Sequence, residues 1–285
     1  PEGIKDGEIA FFGGSFTAID RDYMIELLSS AQEFIGENGF KGIRTSTRPD
    51  AVDGEICDIL EKYHVTAVEL GAQSTNDKVL AMNRRGHTRE DIFRSAWLLK
   101  ERGFELGLQM MTGLYGSNDE DSIGTARDII SLSPDTARIY PTVVIENTEL
   151  AELYRNGEYR PQTPEEAAVL CAKILPMFER AGIKVIRLGL HSGGDVEGSF
   201  VAGAYHPALR EMCEGHIYFD IINRALSGKE KGKYIIYVAP REVSKASGQR
   251  RCNIEKLREL GYECKIKESA ALSARDITLE KVNLL

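Results

Sequence analysis

The stretch EIAFFGGSFTAID, residues 8–20, runs apolar residues into a glycine pair and then two hydroxyl residues. The run Ile9–Phe12 has the length of a core strand, and the segment Asp20–Asn38 carries Met24, Leu27, Leu28, Ala31, Phe34 and Ile35 at helical spacing. Gly13 and Gly14 therefore stand at a strand-to-helix turn, on the C-terminal edge where parallel α/β sheets receive ligands. Glycine there admits positive φ and lets backbone N–H groups come close to a ligand. A tight turn that needs small residues would ask for the same pair.

The same alternation continues along the chain. Strand signals at 42–47 (GIRTST), 65–71 (VTAVELG), 105–111 (ELGLQMM), 137–144 (ARIYPTVV) and 183–191 (IKVIRLGLH) are separated by helical patterns over 51–63, 77–82, 88–102, 119–132, 149–155 and 164–181. Six strands spaced by helices predict a parallel βα array of the α/β class. Right-handed crossovers curl such an array into a barrel or an open doubly wound sheet. No internal repeat is visible and no low-complexity linker divides the chain before Gly193, so residues 1–192 read as one continuous βα array. Residues 193–285 read as a small α/β extension of helix, strand, helix, strand.

Composition narrows the class. The chain has 285 residues, 42% of them hydrophobic, and a net charge of −8. Its apolar runs fall far short of the roughly 18 residues of a membrane span, and the amino terminus PEGIKDGE lacks a signal-peptide layout, which predicts a cytoplasmic location and no membrane partner. The five cysteines, Cys57, Cys171, Cys213, Cys252 and Cys264, form no CxxC pair and read as reduced thiols. The five histidines lack close metal-ligand spacing, and GxGxxG, Walker, HExxH and GxSxG motifs are missing. Charge is uneven: between Lys229 and Lys267 eleven basic residues face five acidic ones, a local +6 that leaves −14 elsewhere. Such an end can steer a polyanion such as RNA, or it is a set of solvated loops.

The polar residues gather where the strands end: Gly13–Thr17, Ser46–Asp50, Glu69–Ser74, Gln109 with Thr112–Gly113, and Tyr140–Thr142. Each has a plain structural explanation as a cap, a loop amide or a core aromatic with a wet hydroxyl. Together they ring one mouth of a βα barrel, the face that holds chemistry. Glycine backbone, hydroxyls, an arginine and amides suit an amino-acid zwitterion, and a phosphate nearly as well.

The succession AFFGGSFTAI, STRPD, VELGAQS, RRGHT, GLQMMTGLYG and ARIYPTVVIENTELAELYRNGEY resembles the radical S-adenosylmethionine enzymes, and within them the Elongator protein 3-like group, over residues 8 to about 225. The resemblance implies that residues 1–192 form a partial (β/α) barrel of the radical S-adenosylmethionine type, TIM-barrel-like, with Gly13, Gly14 and Ser15 at the amino group of S-adenosylmethionine and Arg85 at its carboxylate. Gln73 would line the same pocket, and Gln109 and the backbone near Met111 would support the adenosine. Ser46 stands where relatives often carry a glutamate that binds the amino group, and Tyr140 matches a tyrosine on the substrate side, the catalytic assignment. The implied cofactors are S-adenosylmethionine and a [4Fe–4S] cluster, whose three-cysteine motif CxxxCxxC does not occur in this sequence. The chain is thus expected to be a fragment without its first βα unit, inactive alone, with cluster ligands outside it. In full-length form it would reductively cleave S-adenosylmethionine to a 5′-deoxyadenosyl radical, drawing on an electron donor. Its substrate would be tRNA or a small molecule, and about 90 residues after RLGLHS are too few for an acetyltransferase domain. Two other classes stay open: a phosphate- or metal-dependent TIM-barrel enzyme, and a non-catalytic RNA-binding barrel using the 229–267 basic stretch.

Overall fold

The computed structural model of the protein describes residues 7–36, 39–190 and 198–282. Six parallel strands form one sheet: β1 (Glu8–Phe11), β2 (Gly42–Thr47), β3 (Val65–Gln73), β4 (Glu105–Thr112), β5 (Thr136–Pro141) and β7 (Lys184–Leu188). Each strand lies beside its predecessor in the order β1-β2-β3-β4-β5-β7. No strand order reversal occurs, so this is the curled half-barrel of the two topologies the sequence allowed, not a doubly wound sheet.

The helices between the strands start where local chemistry dictates. Asp20 caps α1 (Arg21–Gln32) by accepting from the N–H groups of Asp22 and Tyr23, both at 3.1 Å. Asp53 caps α2 (Gly54–Lys62) and Asn76 caps α3 (Asp77–Met82). Reciprocal capping boxes, Thr88 with Asp91 and Asn118 with Asp121, open α4 (Arg89–Glu101) and α5 (Asp119–Ser131). Helices α2, α4 and α5 pack on β3 and β4. Ile43, Val68, Leu70, Leu106, Leu108 and Ile139 are thereby fully buried.

Three sequence expectations change. The helix expected over 20–38 ends at Gln32: apolar spacing persists through Phe34 and Ile35, but Gly36 turns the chain at φ 146° and Ile35 bridges Phe40. Asn38 lies outside the described residues. The single strand expected over 137–144 is two, because Pro141 ends β5 and Thr142 turns its N–H and Oγ1 to the Thr112 carbonyl at 2.9 and 2.8 Å. The following β6 (Val143–Ile145) pairs antiparallel with β8 (Phe200–Gly203), beside α6 (Glu149–Arg155). The strand expected over 183–191 is β7, and His191 and the expected boundary at 192/193 fall outside the described residues.

Packing divides the chain into two units. The first comprises 1–161, 174–188 and 194–203; the second takes 162–173, 189–193 and 204–285, so α7 (Pro164–Arg180) contributes to both. In the second unit α8 (Leu209–Leu226), α9 (Val243–Ser247) and α10 (Cys252–Glu259) accompany a three-stranded sheet. Its strands β9 (Gly232–Val238) and β10 (Tyr262–Glu268) are parallel, and β11 (Ile277–Lys281) is antiparallel to β9, in the order β10-β9-β11. The third strand was not foreseen. Tyr218, Ile222, Leu226, Tyr234, Ile236, Val238, Leu257 and Tyr262 form this unit's core. Among the described residues no helix is long and apolar enough to cross a membrane.

Candidate active site

On the strand face turned away from the helices, alternation brings a polar row inward. The register places Ser46 beside Glu69, Gly71 beside Gln109, Gln109 beside Arg138 and Met111 beside Tyr140. At the centre is Glu69, whose side chain is only 1% exposed. Arg138 Nη2 donates to Glu69 Oε1 at 2.8 Å, Arg138 Nε lies 2.7 Å from Oε2, and Gln109 Nε2 donates to Oε2 at 3.1 Å. A second guanidinium, Arg44 Nη1, stands 3.8 Å from Glu69 and donates through Nε and Nη2 to Glu8 and Glu105 at 2.9 and 2.8 Å. A Cβ on Gly107 would come 2.8 Å from Glu69 Cγ, so the missing side chain there makes room for the glutamate. Burial acts to lower the pKa of both arginines, yet the bonds to their carboxylates hold it above the usual arginine value.

This row absorbs several expected site residues. Ser46 Oγ accepts from Gln109 Nε2 at 3.4 Å, and Tyr140 OH accepts from Arg138 Nη1 at 3.3 Å. Met111 is half-buried beside Tyr140. Phe12, half exposed just before the glycine pair, presents its ring to Arg138 at 5.6 Å. Glu69 stood among the strand-end polar residues read from sequence but was given no role, and Arg138 and Arg44 were not singled out. Their signal was a charged residue inside an otherwise apolar strand, in VELG, ARIY and GIRTS, at positions that the register makes neighbours.

Of the other expected residues, Gly13, Gly14, Ser15 and Gln73 lie at the ends of β1 and β3 and Arg85 in the loop between α3 and α4, and Gln73 and Arg85 carry unmet polar atoms. Gln73 sits at the end of β3 in a left-handed conformation (φ 63°), and its Oε1 is buried with no hydrogen-bond partner. His87 Nε2 contacts the Ala72 carbonyl at 3.1 Å and leaves Nδ1 buried without a partner. Arg85 Nε is likewise buried and unpartnered. Burial, and then the neighbouring charge of Arg48, push the Arg85 pKa below the usual arginine value. A guanidinium held among such neighbours, without a carboxylate, lacks an anion. Gly13 has φ 107°, a conformation that favours glycine, and Gly13 and Gly14 are exposed with open space where side chains would be. Ser15 accepts from the Ala18 N–H at 2.9 Å through its carbonyl, and Thr17 Oγ1 and Thr47 Oγ1 share a hydrogen bond of 2.7 Å that fastens this turn to the end of β2. The structure thus brings Gln73 into one neighbourhood with the Arg85–His87 loop, and Arg85 close to Arg48, while it ties Ser46, Gln109 and Tyr140 to a separate buried ion cluster.

Among the described residues no three thiols come together, although Cys213, whose thiol burial pushes up, has Cys171 near enough to push it further in the same direction. Cys57, Cys171 and Cys213 are buried, and desolvation pushes Cys57 up to about 11 and Cys171 up to about 12. Among the described residues no three His, Cys, Asp or Glu side chains could share a metal ion.

Comparison with known proteins agrees with this architecture. Residues 2–129 match the Radical SAM superfamily profile, and residues 134–218 match the Radical_SAM C-terminal domain profile. The chain is 31% identical over 196 residues to a tRNA uridine(34) acetyltransferase of Methanocaldococcus jannaschii, covering 61% of this chain and 36% of that protein. It is 31% identical over 197 residues to human Elongator complex protein 3, covering 60% and 35%. The chain therefore spans about a third of the length of these relatives. Among solved structures, archaeal Methanocaldococcus infernus Elp3 with an N-terminal deletion superposes with a TM-score of 0.63 at 24% identity, covering 76% of this chain and 59% of that one. Coproporphyrinogen III oxidase of Escherichia coli, a radical SAM enzyme, gives 0.51 at 16% identity, covering 62% and 41%.

Proposed function

From a chain that belongs to the radical S-adenosylmethionine superfamily, in its Elongator protein 3-like group, we propose that these residues form the S-adenosylmethionine-holding part of a cytoplasmic tRNA-modifying enzyme. The observation that carries the reading is the unpaired Arg85, buried at Nε and facing Arg48 without an anion. The donor set fits the methionine moiety. Arg85 takes the carboxylate, the Gln73 carbonyl oxygen accepts from the ammonium, and the Gly13–Ser15 backbone closes the turn around it. When bound, S-adenosylmethionine supplies a sulfonium that one electron can cleave, and with it radical chemistry. The protein's own part is positional: the Glu69–Arg138–Gln109 bonds fix β3, β4 and β5 in register, and Arg138 orients the hydroxyl of the half-buried Tyr140 for substrate.

An iron–sulfur cluster does not fit the described residues, which gather no thiolate set. The choice of tRNA rests on the relatives named as tRNA uridine(34) acetyltransferases; acetyl transfer is not part of the proposal. The division into a barrel up to residue 192 and an extension beyond it is likewise our own boundary.

The test is a calorimetric titration of S-adenosylmethionine into the wild-type chain and Arg85→Ala. Removing a charge-assisted hydrogen bond should weaken binding by roughly 1.5–3 kcal/mol. Arg155, paired on the surface with Glu146, is the control. Equal effects of Arg85→Ala and Arg155→Ala would overturn the assignment. Inorganic phosphate that binds in place of S-adenosylmethionine would favour a phosphate-dependent barrel at the same two arginines.

A further inference from the structure

The second unit's sheet has one covered face and one open face. Tyr234, Ile236 and Val238 of β9 turn into the core against α8, with Tyr262, Cys264, Ile266, Ile277 and Leu279 of the flanking strands. The alternate residues point the other way: Lys233, Ile235 and Tyr237 on β9, Glu263, Lys265 and Lys267 on β10, Thr278 and Glu280 on β11. In register, Tyr237 lies between Lys267 and Thr278, and Ile235 lies between Lys265 and Glu280. The middle strand thus offers an aromatic ring and an aliphatic side chain, and the edge strand beside it offers two ammonium groups.

The charges on this face are not equivalent. Lys233 pairs with Glu263 at 3.4 Å, and Glu280 accepts the Tyr237 hydroxyl at 2.7 Å. Both acids are therefore engaged. Lys265 and Lys267 have no carboxylate partner among the described residues. Along the β10 edge runs a groove of about 440 Å³ lined by Lys233, Lys265, Lys267, Arg251 and Arg258, with Glu263 the only acid. Arg258 is answered by Glu255 at 2.8 Å, whereas Arg251 has no ion pair among the described residues. Three unanswered cations from two elements thus meet at one groove, in a stretch of +6 on a chain whose remainder carries −14. Edge strands carry lysines simply to prevent pairing with other chains, but that purpose needs neither Arg251 nor an open tyrosine.

We propose that this open face and the β10 groove bind a single-stranded segment of RNA. Tyr237 stacks a base, and Lys265, Lys267 and Arg251 contact the flanking phosphates. A ring in the middle strand with cations on the adjacent edge is the arrangement that unstacked bases and a phosphate backbone require together. The acidic remainder of the chain repels a polyanion and directs it to this surface. The choice of RNA among polyanions rests on the tRNA reading above; the choice of surface rests on the residues themselves.

The experiment is fluorescence anisotropy of the whole chain with a labelled tRNA transcript over a series of salt concentrations. Circular dichroism checks that each variant is folded. Tyr237→Ala should weaken binding about five- to hundredfold. The double variant Lys265→Glu/Lys267→Glu should weaken it at least tenfold and reduce the slope of log affinity against log salt by about 1.4, at about 0.7 for each phosphate no longer neutralised. Arg127→Glu, an exposed cation on α5, should change little. If wild type binds tRNA and the double variant binds as well as Arg127→Glu, the surface is wrong and the tRNA reading stands. If wild type has no affinity for tRNA, both fall, while the S-adenosylmethionine titration still decides the cofactor site separately. Anionic phospholipid vesicles that displace tRNA from wild type but not from the double variant would make this a lipid surface and overturn the proposal.

Discussion

Replacing Glu69 by Gln isolates the electrostatics of the half-barrel interior, because the amide keeps the carboxylate's shape and removes its charge. Glu69 is 1% exposed, and the two guanidiniums it faces, Arg138 and Arg44, are 20% and 13% exposed. Breaking a buried pair by neutralising one partner costs about 3–5 kcal/mol, because the other charge stays desolvated. Arg44 keeps Glu8 and Glu105 at 2.9 and 2.8 Å, so the loss falls on Arg138, which is left with neutral acceptors only, the introduced amide oxygen and the Tyr140 hydroxyl at 3.3 Å. Since Arg138 retains a fifth of its exposure, the lower end applies, about 3 kcal/mol. With a urea m-value of about 3 kcal/mol/M, at the upper end for small proteins, the midpoint should fall by about 1 M with m unchanged. Circular dichroism against urea measures it. The companion Arg138→Met in the Glu69→Gln background removes the orphaned charge, so the double variant should lose at least about 1 kcal/mol less than the sum of the two single effects. A loss below about 1 kcal/mol for Glu69→Gln, or strict additivity in the cycle, would refute the claim that this pair holds β3 to β5.

Acid should destabilise the first unit through Asp128, whose carboxyl is held below its ordinary value of 3.8 chiefly by its bonds to Arg89. A depressed carboxyl stabilises fully above its unfolded pKa and loses that contribution as pH falls through the folded one, so the loss lies below about pH 4. Asp128→Asn should flatten the pH dependence of the thermal midpoint in that range; an unchanged profile would mean the Arg89 pair does not contribute. For the thiols, Ellman's reagent on the folded protein should label the exposed Cys252 quickly and leave Cys57, Cys171 and Cys213 unlabelled until denaturant is added. Fast labelling of Cys171, whose thiol burial pushes up to about 12, would contradict the packing of α7.

The fold was legible where a local rule and the tertiary environment agree. GIRTST matches β2 from end to end, and α3 occupies 77–82 as its apolar spacing and the Asn76 cap require. Legibility failed where a longer-range partner decided. Apolar spacing carried the α1 reading past Gln32, because periodicity does not register that Gly36 will turn and that Ile35 will pair with Phe40. The run 137–144 could not announce that its second half belongs to another sheet, since β8 lies more than fifty residues downstream. ITLE alternates apolar and polar residues, a strand signal of only four residues that was passed over, and β11 forms where β9 offers it an edge.

The site divides along the same line, and Arg84 with Arg85 displays the reason. Two adjacent arginines in RRGHT are chemically identical as sequence, and only the match of the string RGHT favoured the second. In the folded chain Arg84 takes a left-handed backbone (φ 49°) and reaches outward to Glu149 at 2.7 Å, with its side chain 78% exposed. The next residue is then carried inward: Arg85 N–H returns to the Leu80 carbonyl at 3.0 Å, and its Nε is buried without a partner. One positive-φ turn therefore separates a solvated surface pair, worth little to stability, from a desolvated cation that needs an anion. The same logic covers Gln73, whose φ of 63° ends β3 and leaves Oε1 unmet. Backbone conformation at two turns, one at the end of β3 and one between α3 and α4, decides which of several polar side chains is left buried with an unmet polar atom.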